Sequence, residues 1–228
     1  MVGPAAVVEE VRQLVDLATV AYMPDAHVRI RRDSEVSERI CRAAITCFER
    51  FGVRKTSLED IAGEAQCSRA TIYRYFEGKD SIVLETLRRE AVSFFSILAD
   101  RLETVDTFEE LFAEAATTSA EVIGNHRLLN VMIEVEPQLL LPHVAFGPSN
   151  AVEIASTFLA PYMARLRDSG DIGDVDVERA SEWIVRTVLS YLLTPSRTLD
   201  LSDRQQVTEL ARCYLRPALG CGAPINNE

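Results

Sequence analysis

Residues 56–80, which read TSLEDIAGEAQCSRATIYRYFEGKD, constrain the fold more than any other part of this chain. Ser57 opens an S-x-x-D spacing typical of a capping box and is placed to cap a helix over 58–65. Ser68 is placed to cap a second helix over 69–75. Because only two residues, Gln66 and Cys67, lie between Ala65 and the cap Ser68, the two helices must cross at a steep angle, which predicts a helix-turn-helix.

The second of these helices carries side chains that suit DNA. Ile72 and Phe76 share one face and are expected to pack against the preceding helices. The residues that can reach base edges or phosphates lie on the other face and at its edges: Arg69, Ala70, Thr71, Tyr73, Arg74 and Tyr75. A tight turn between ordinary packing helices is the alternative. The concentration of aromatic and basic side chains over residues 69–79 makes that alternative the weaker one.

Charge is unevenly distributed along the chain. The formal net charge of −11, taken alone, argues against a nucleic-acid partner. Residues 27–89, however, hold 13 Arg or Lys against 10 Asp or Glu, so the acidic excess lies elsewhere. A mildly basic segment on an acidic body is typical of a protein that offers one face to DNA. The basic residues at 27–32 are either an arm that binds the DNA backbone or a solvated linker, with neither favoured.

Helical spacing of apolar residues continues along nearly the whole chain, with no sustained period-2 alternation. It predicts an all-α protein with further helices at about 5–22, 34–51, 79–102, 107–123, 126–140, 148–169, 176–193 and 203–219. The helix over 34–51 has an apolar stripe that includes Phe48 and Phe51, and Gly52 is expected to end it.

The motifs T-S-L-E-D-I-A, A-x-x-S and S-R-A-T-I-Y-R-Y-F-E-G-K-D resemble the DNA-binding domain of TetR-family transcription regulators, most closely from Ile40 to Leu84. By this resemblance, bases are read by Arg69, Ala70, Thr71 and Arg74, and phosphates are held by Ser57, Tyr73, Tyr75 and Lys79. Gln66 departs from the family, which usually has glycine in the turn. A residue there is expected to need a positive φ, which glutamine tolerates less well than glycine.

The resemblance also implies a domain organisation. An N-terminal extension (1–33) precedes a three-helix helix-turn-helix domain (34–80), and a larger C-terminal helical domain (81–222) binds a ligand and dimerises. Residues 223–228 are expected to form a disordered tail.

The C-terminal half has more apolar helix width than one packing seam requires. This excess predicts a cavity lined by Phe95, Leu98, Phe112, Met132, Phe158 and Tyr162, although ordinary core packing explains the same spacing. Since few charged groups are available there, we expect a small, largely apolar effector.

The last two predicted helices resemble the dimerisation pair of the family. One carries the stripe Ile184, Val188, Tyr191 and Leu192, and the other carries Val207, Leu210, Ala211, Tyr214 and Leu215. Two such pairs across a twofold axis give a four-helix bundle, and the resulting homodimer would match a palindromic operator in double-stranded DNA.

Enzymatic function is not expected, because the chain lacks the common phosphate-loop, dinucleotide and nucleophile motifs, and no histidine has a partner at metal-ligand spacing. No cofactor, metal or membrane association is predicted, and a cytoplasmic location is the default. The features combine into a homodimeric transcription regulator, most simply a repressor that its effector releases from DNA. A helical adaptor for protein partners is the alternative, and the cationic and tyrosine positions of residues 69–75 argue against it.

Overall fold

The computed structural model describes residues 6–10, 12–13, 35–126, 130 and 151–220. Its helices are α1 (Glu35–Phe51), α2 (Leu58–Glu64), α3 (Arg69–Tyr75), α4 (Lys79–Leu102), α5 (Phe108–Asn125), α6 (Ala151–Ser169), α7 (Val177–Leu193), α8 (Arg204–Leu210) and α9 (Arg216–Gly220), with a π-helical turn over Ala211–Leu215. No strand occurs among the described residues, and the predicted all-α fold is confirmed. Predictions for the basic residues 27–32, Met132, most of helix 126–140 and the tail 223–228 lie outside the described residues.

Two compact units make up the chain. The N-terminal unit comprises residues 12–93 and 123–150, and the C-terminal unit comprises residues 1–11, 94–122 and 151–228. The first boundary falls inside α4, so this helix contributes residues to both units. In the described part of the chain, no helix combines the length and apolar character that a bilayer crossing needs.

The core of the N-terminal unit is built by α1, α2 and α3. Ile40 and Phe48 of α1, Ile61 of α2 and Ile72 of α3 are fully or almost fully buried in one cluster. Helix α1 ends as predicted before Gly52, which has a φ of 80°. Phe51, the last residue of the predicted apolar stripe, is 46% exposed, because it lies at the last position of α1, beyond the turn that packs on the cluster.

A buried carboxylate joins the start of α4 to α1. Glu85 is fully buried and accepts hydrogen bonds from Nε of Arg88 and Nε of Arg89, both at 2.8 Å. Arg89 also donates to the Ser37 hydroxyl of α1 at 3.4 Å. Burial raises the pKa of the neighbouring Cys41 thiol to about 11, so this thiol stays neutral.

The C-terminal unit packs α6 against α7 through apolar side chains such as Phe158, Met163, Ile184 and Val188, all of which are buried. Arg165 caps the end of α4: its Nη2 donates to the carbonyl oxygens of Leu102 at 3.1 Å and Val105 at 2.7 Å. A cation at a helix C-terminus also interacts favourably with the helix dipole.

Asp171, in the loop after α6, ties together two further elements of this unit. Its Oδ2 accepts from the backbone N–H of Phe108 at 2.8 Å, and so caps α5. Arg216 of α9 donates to Asp171 Oδ1 at 3.0 Å and also contacts Glu109. The π-helical turn lies just before Arg216, and it places Ala211 and Leu215 in the core while Tyr214 is 74% exposed.

Candidate nucleic-acid interface

Helix α2 begins at the predicted cap. Ser57 Oγ accepts from the backbone N–H of Asp60 at 3.2 Å, and Asp60 Oδ2 accepts from the Ser57 backbone N–H at 2.8 Å, which completes the capping box. The Ser57 hydroxyl also donates to Asp60 Oδ2 at 2.6 Å. These hydrogen bonds from Ser57 lower the pKa of the Asp60 carboxyl. The hydroxyl that was predicted to hold a phosphate is therefore engaged in the cap.

The turn between α2 and α3 places Gln66 at a φ of 50°, the one non-glycine residue with a positive φ in the described part of the chain. The backbone N–H of Gln66 donates to Gly63 O at 3.1 Å, and that of Cys67 donates to Ala62 O at 2.9 Å. This pair of bonds is a Schellman motif, which requires the left-handed conformation at its central residue. The predicted positive φ at Gln66 is confirmed.

Helix α3 is capped by Ser68, whose Oγ accepts from the backbone N–H of Thr71 at 3.1 Å. Ile72 and Phe76 are buried as predicted, so they hold the helix on the core. The other face is open to solvent at Arg69, Ala70, Tyr73 and Arg74, with Thr71 and Tyr75 partly buried. Seven residues of helix thus expose a short row of cationic, aromatic and small side chains.

Arg69 lies in a cluster that we name the Arg69 cluster: Glu59, Arg69 and Tyr73. Arg69 Nη1 donates to the carboxylate of Glu59, ten residues earlier on α2. Its Nη2 donates to the Tyr73 hydroxyl at 3.3 Å, and its guanidinium carbon lies 5.8 Å from the centre of the Tyr73 ring. The Tyr73 hydrogen bond and the charge of Glu59 raise the pKa of Arg69. All three side chains remain about half exposed.

Arg74 and Tyr75 form a second stacked pair, with the guanidinium carbon 5.6 Å from the ring centre. Tyr75 also packs against the core of the N-terminal unit, so its ring has a structural role in addition to any contact that its hydroxyl makes.

Lys79, at the start of α4, makes three hydrogen bonds within the protein. Its Nζ donates to the carbonyl oxygens of Val53 at 3.0 Å, Arg54 at 3.1 Å and Thr56 at 3.0 Å. An ammonium has three N–H donors, and all three have partners in the loop between α1 and α2. The predicted phosphate contact of this ammonium would have to replace one of these bonds.

Glu59 contacts the candidate site residue Arg69, and the sequence did not predict this contact. A carboxylate in the first turn of a helix is ordinary, because it complements the helix dipole. The only signal of a further role was its position on the helix that precedes Arg69. The packing angle of α2 and α3, which a sequence does not display, decides whether the two side chains meet.

The structure describes five of the six residues of the predicted effector pocket, since Met132 lies outside the described residues. Phe95, Leu98, Phe112, Phe158 and Tyr162 are all buried in the C-terminal unit. The ring of Phe158 lies 4.9 Å from that of Phe95 and 5.4 Å from that of Tyr162, measured between centres. Among the described residues, the buried Tyr162 hydroxyl has no hydrogen-bond partner, and burial raises the pKa of this group.

An open cleft of about 490 Å³ lies elsewhere in the C-terminal unit and shares no residue with the predicted pocket. It is lined by Thr107, Glu109, Glu110, Asp171, Arg204, Thr208, Arg212 and Arg216. Arg204 and Arg216 are already paired with Glu114, Glu109 and Asp171, so the cleft is a balanced ion-pair network. The described residues include no group of three His, Cys, Asp or Glu side chains that could hold a metal ion.

A short, capped helix that exposes cations and tyrosines after a tight turn defines the class: a helix-turn-helix DNA-binding protein. Residues 40–86 match the family model described as bacterial regulatory proteins, tetR family. This match identifies residues 40–86 as a DNA-binding domain of the kind found in TetR-family transcriptional regulators. Regulators of that family bind DNA and small-molecule effectors and act as dimers.

Curated relatives whose similarity extends beyond residues 40–86 are also named transcriptional regulators. An uncharacterized HTH-type transcriptional regulator of Mycobacterium tuberculosis is 26% identical over 189 residues, which cover 82% of this chain and 89% of the relative. The HTH-type transcriptional repressor KstR2 of Rhodococcus jostii is 28% identical over 147 residues, 62% of this chain and 70% of the relative. The structure of the fatty acid degradation regulator FadR from Bacillus halodurans matches with a TM-score of 0.58 at 17% identity, covering 78% of this chain and 95% of that one, which is a likeness of fold alone.

Proposed function

We propose that this protein is a repressor that binds a palindromic operator as a homodimer, inserts α3 into the major groove and is released by a largely apolar effector. The observation that carries the proposal is the exposed surface of α3, where Thr71 and Arg74 lie on the side opposite the buried Ile72 and Phe76. Arg69 is exposed at the N-terminal end of the same helix. Such a face can read base edges because an arginine makes bidentate contacts with guanine and a threonine methyl contacts the thymine methyl.

In the proposed interface, Arg69, Ala70, Thr71 and Arg74 contact bases, and Ser57, Tyr73, Tyr75 and Lys79 lie nearest to phosphates. The exposure of Tyr73, at 52%, supports a phosphate contact through its hydroxyl. The side chains of Lys79 and Ser57 already form hydrogen bonds, Lys79 with the loop before α2 and Ser57 with Asp60 in the cap. These two residues therefore contribute to the proposed interface mainly by holding the backbone in place. Two copies of α3 must lie about 34 Å apart, one turn of DNA, which is why a dimer and a palindrome are proposed together.

Base reading by Arg69 is tested with a duplex enriched from a random-sequence pool by the wild-type protein. Arg69→Ala should lose about 10- to 100-fold in preference for that duplex over a shuffled one, because a bidentate arginine contact discriminates by that order. Fluorescence anisotropy on both duplexes measures the ratio, with Arg167→Ala in the last turn of α6 as the control. A pool that enriches no palindrome would instead favour the helical adaptor.

An apolar effector is proposed from the ring cluster of Phe95, Phe158 and Tyr162. A buried hydroxyl without a partner is costly to the folded protein, by about 1–3 kcal/mol. A ligand with one hydrogen-bonding oxygen on an apolar body would supply the partner of Tyr162 and bury its remaining surface against the rings. Helix α4 carries both Lys79, at its first residue, and Phe95, in its second half. A ligand that contacts Phe95 therefore binds to the same helix that begins shortly after α3.

Native mass spectrometry of the purified protein tests the effector proposal, and the organic extract of the same protein is then added to the wild-type DNA complex. We expect a copurifying apolar compound and release of DNA by the extract. Tyr162→Phe should fold normally, since it removes the unpaired hydroxyl, and should require several-fold more extract. Thr208→Val, which removes a hydroxyl outside the predicted pocket, is the control. Release that is equal for all three proteins would contradict the role of Tyr162.

A further inference from the structure

Glu59 contacts Arg69, and the role proposed for it rests on the proposed insertion of α3 into DNA. We propose that Glu59 is a positioning residue that determines specificity, because its carboxylate holds the Arg69 guanidinium in one orientation for reading a base. The Glu59–Arg69 ion pair links two helices: Glu59 lies in the first turn of α2, and Arg69 is the first residue of α3.

The guanidinium of Arg69 has partners on two sides. One Nη binds Glu59, the other binds the Tyr73 hydroxyl at 3.3 Å, and the Tyr73 ring lies beneath the group. A free arginine on a helix surface has many rotamers and must lose that freedom when it reads a guanine. Holding the side chain beforehand removes part of this cost, and it does so only for the base that lies where the guanidinium already points.

The carboxylate of Glu59 also carries a cost for DNA binding. It is about 59% exposed beside a residue proposed to enter the major groove, so it repels phosphates whatever the DNA sequence is. Loss of its charge should therefore have two opposite effects. Affinity for any DNA should rise, while discrimination between sequences should fall. A residue that only stabilises the fold would not produce this combination.

The experiment uses the full-length protein and compares Glu59→Gln, Arg69→Ala and the double variant on the enriched duplex and the shuffled duplex. Glu64→Gln is the matched control, because Glu64 is an exposed carboxylate at the other end of the same helix. Thermal unfolding of each variant verifies that the helix-turn-helix is intact. The readout is the ratio of the two dissociation constants, together with the constant for the shuffled duplex.

We expect Glu59→Gln to bind the shuffled duplex several-fold more tightly and to lose several-fold in the ratio, while Glu64→Gln leaves the ratio unchanged. In the Arg69→Ala background, Glu59→Gln should no longer alter the ratio, because the side chain that it positions is absent. An unchanged ratio in Glu59→Gln, or an equal loss with and without Arg69, would overturn the inference. A wild-type ratio in Arg69→Ala would refute the proposed base reading itself, so the two failures are distinguishable.

Discussion

At the scale of single residues, several polar side chains of the proposed interface also form hydrogen bonds within the folded protein. Ser57 caps α2, Lys79 binds three carbonyl oxygens of the loop before α2, and Arg69 binds Glu59. A residue that looks available in a motif is therefore already oriented by its own fold. Preorganised contacts of this kind reduce the entropy that binding has to overcome.

The positive φ of Gln66 should cost the folded protein stability. Gln66→Gly should stabilise the protein by about 1 kcal/mol, because glycine adopts a positive φ without the Cβ clash that glutamine has there. Chemical denaturation measures the difference. Gln66→Ala keeps the Cβ and serves as the control, with little change expected. Equal stability of the glycine and wild-type proteins would mean that the Schellman turn carries no strain.

At the scale of elements, the contacts between helices depend on charged groups that reach backbone or buried partners. Arg165 caps α4, Asp171 caps α5, and Arg39 of α1 donates its Nε to the Ala65 carbonyl at 3.1 Å, where α2 ends. The apolar stripes decide which faces meet. These polar contacts satisfy the helix ends, which otherwise leave backbone groups without partners.

The buried ion pairs of Glu85 can be tested by a change in the stability of the protein. Glu85→Gln should destabilise the protein by about 3 kcal/mol, because it leaves Arg88 and Arg89 without the buried charge that compensates theirs. Glu38→Gln is the control: Glu38 pairs with Arg42 on the exposed side of α1, and loss of that pair should cost about 0.5 kcal/mol or less. Both values come from urea unfolding at neutral pH. Similar costs for the two variants would show that burial adds nothing to the Glu85 pairs.

At the scale of the whole molecule, exposed apolar side chains indicate where a second copy would bind. Trp183 and Leu193 of α7 and Tyr214 of the π-helical turn are exposed although they are large and apolar. Most of the stripe predicted to form the dimer interface is instead buried within the chain itself, including Ile184, Val188, Val207 and Leu215. Those residues pack α7 and the last helices onto their own unit, and the side chains on the outer face remain for a partner.

The dimer proposal predicts that Trp183→Asp and Tyr214→Asp shift the protein toward monomer. Each change should weaken dimerisation by about 2 kcal/mol or more, because a large aromatic anchor is replaced by a charge that must lose its water in the interface. Light scattering across a dilution series measures the mass. Phe51→Asp, a change of an exposed aromatic in the N-terminal unit, should leave the dimer intact. Dimers that persist in both variants would place the interface on another surface.

The sequence by itself determined the local features of this protein. The caps of α2 and α3, the positive φ of Gln66 and the buried pair Ile72 and Phe76 all follow from interactions within a few residues, and helical periodicity carries that information. Only the tertiary structure decided that Glu59 meets Arg69, that Lys79 binds the loop 23–26 residues before it, and that Phe51 and Tyr214 face solvent. Those outcomes depend on the angle and depth at which helices pack, and these are set by the combined fit of many distant side chains rather than by any local pattern.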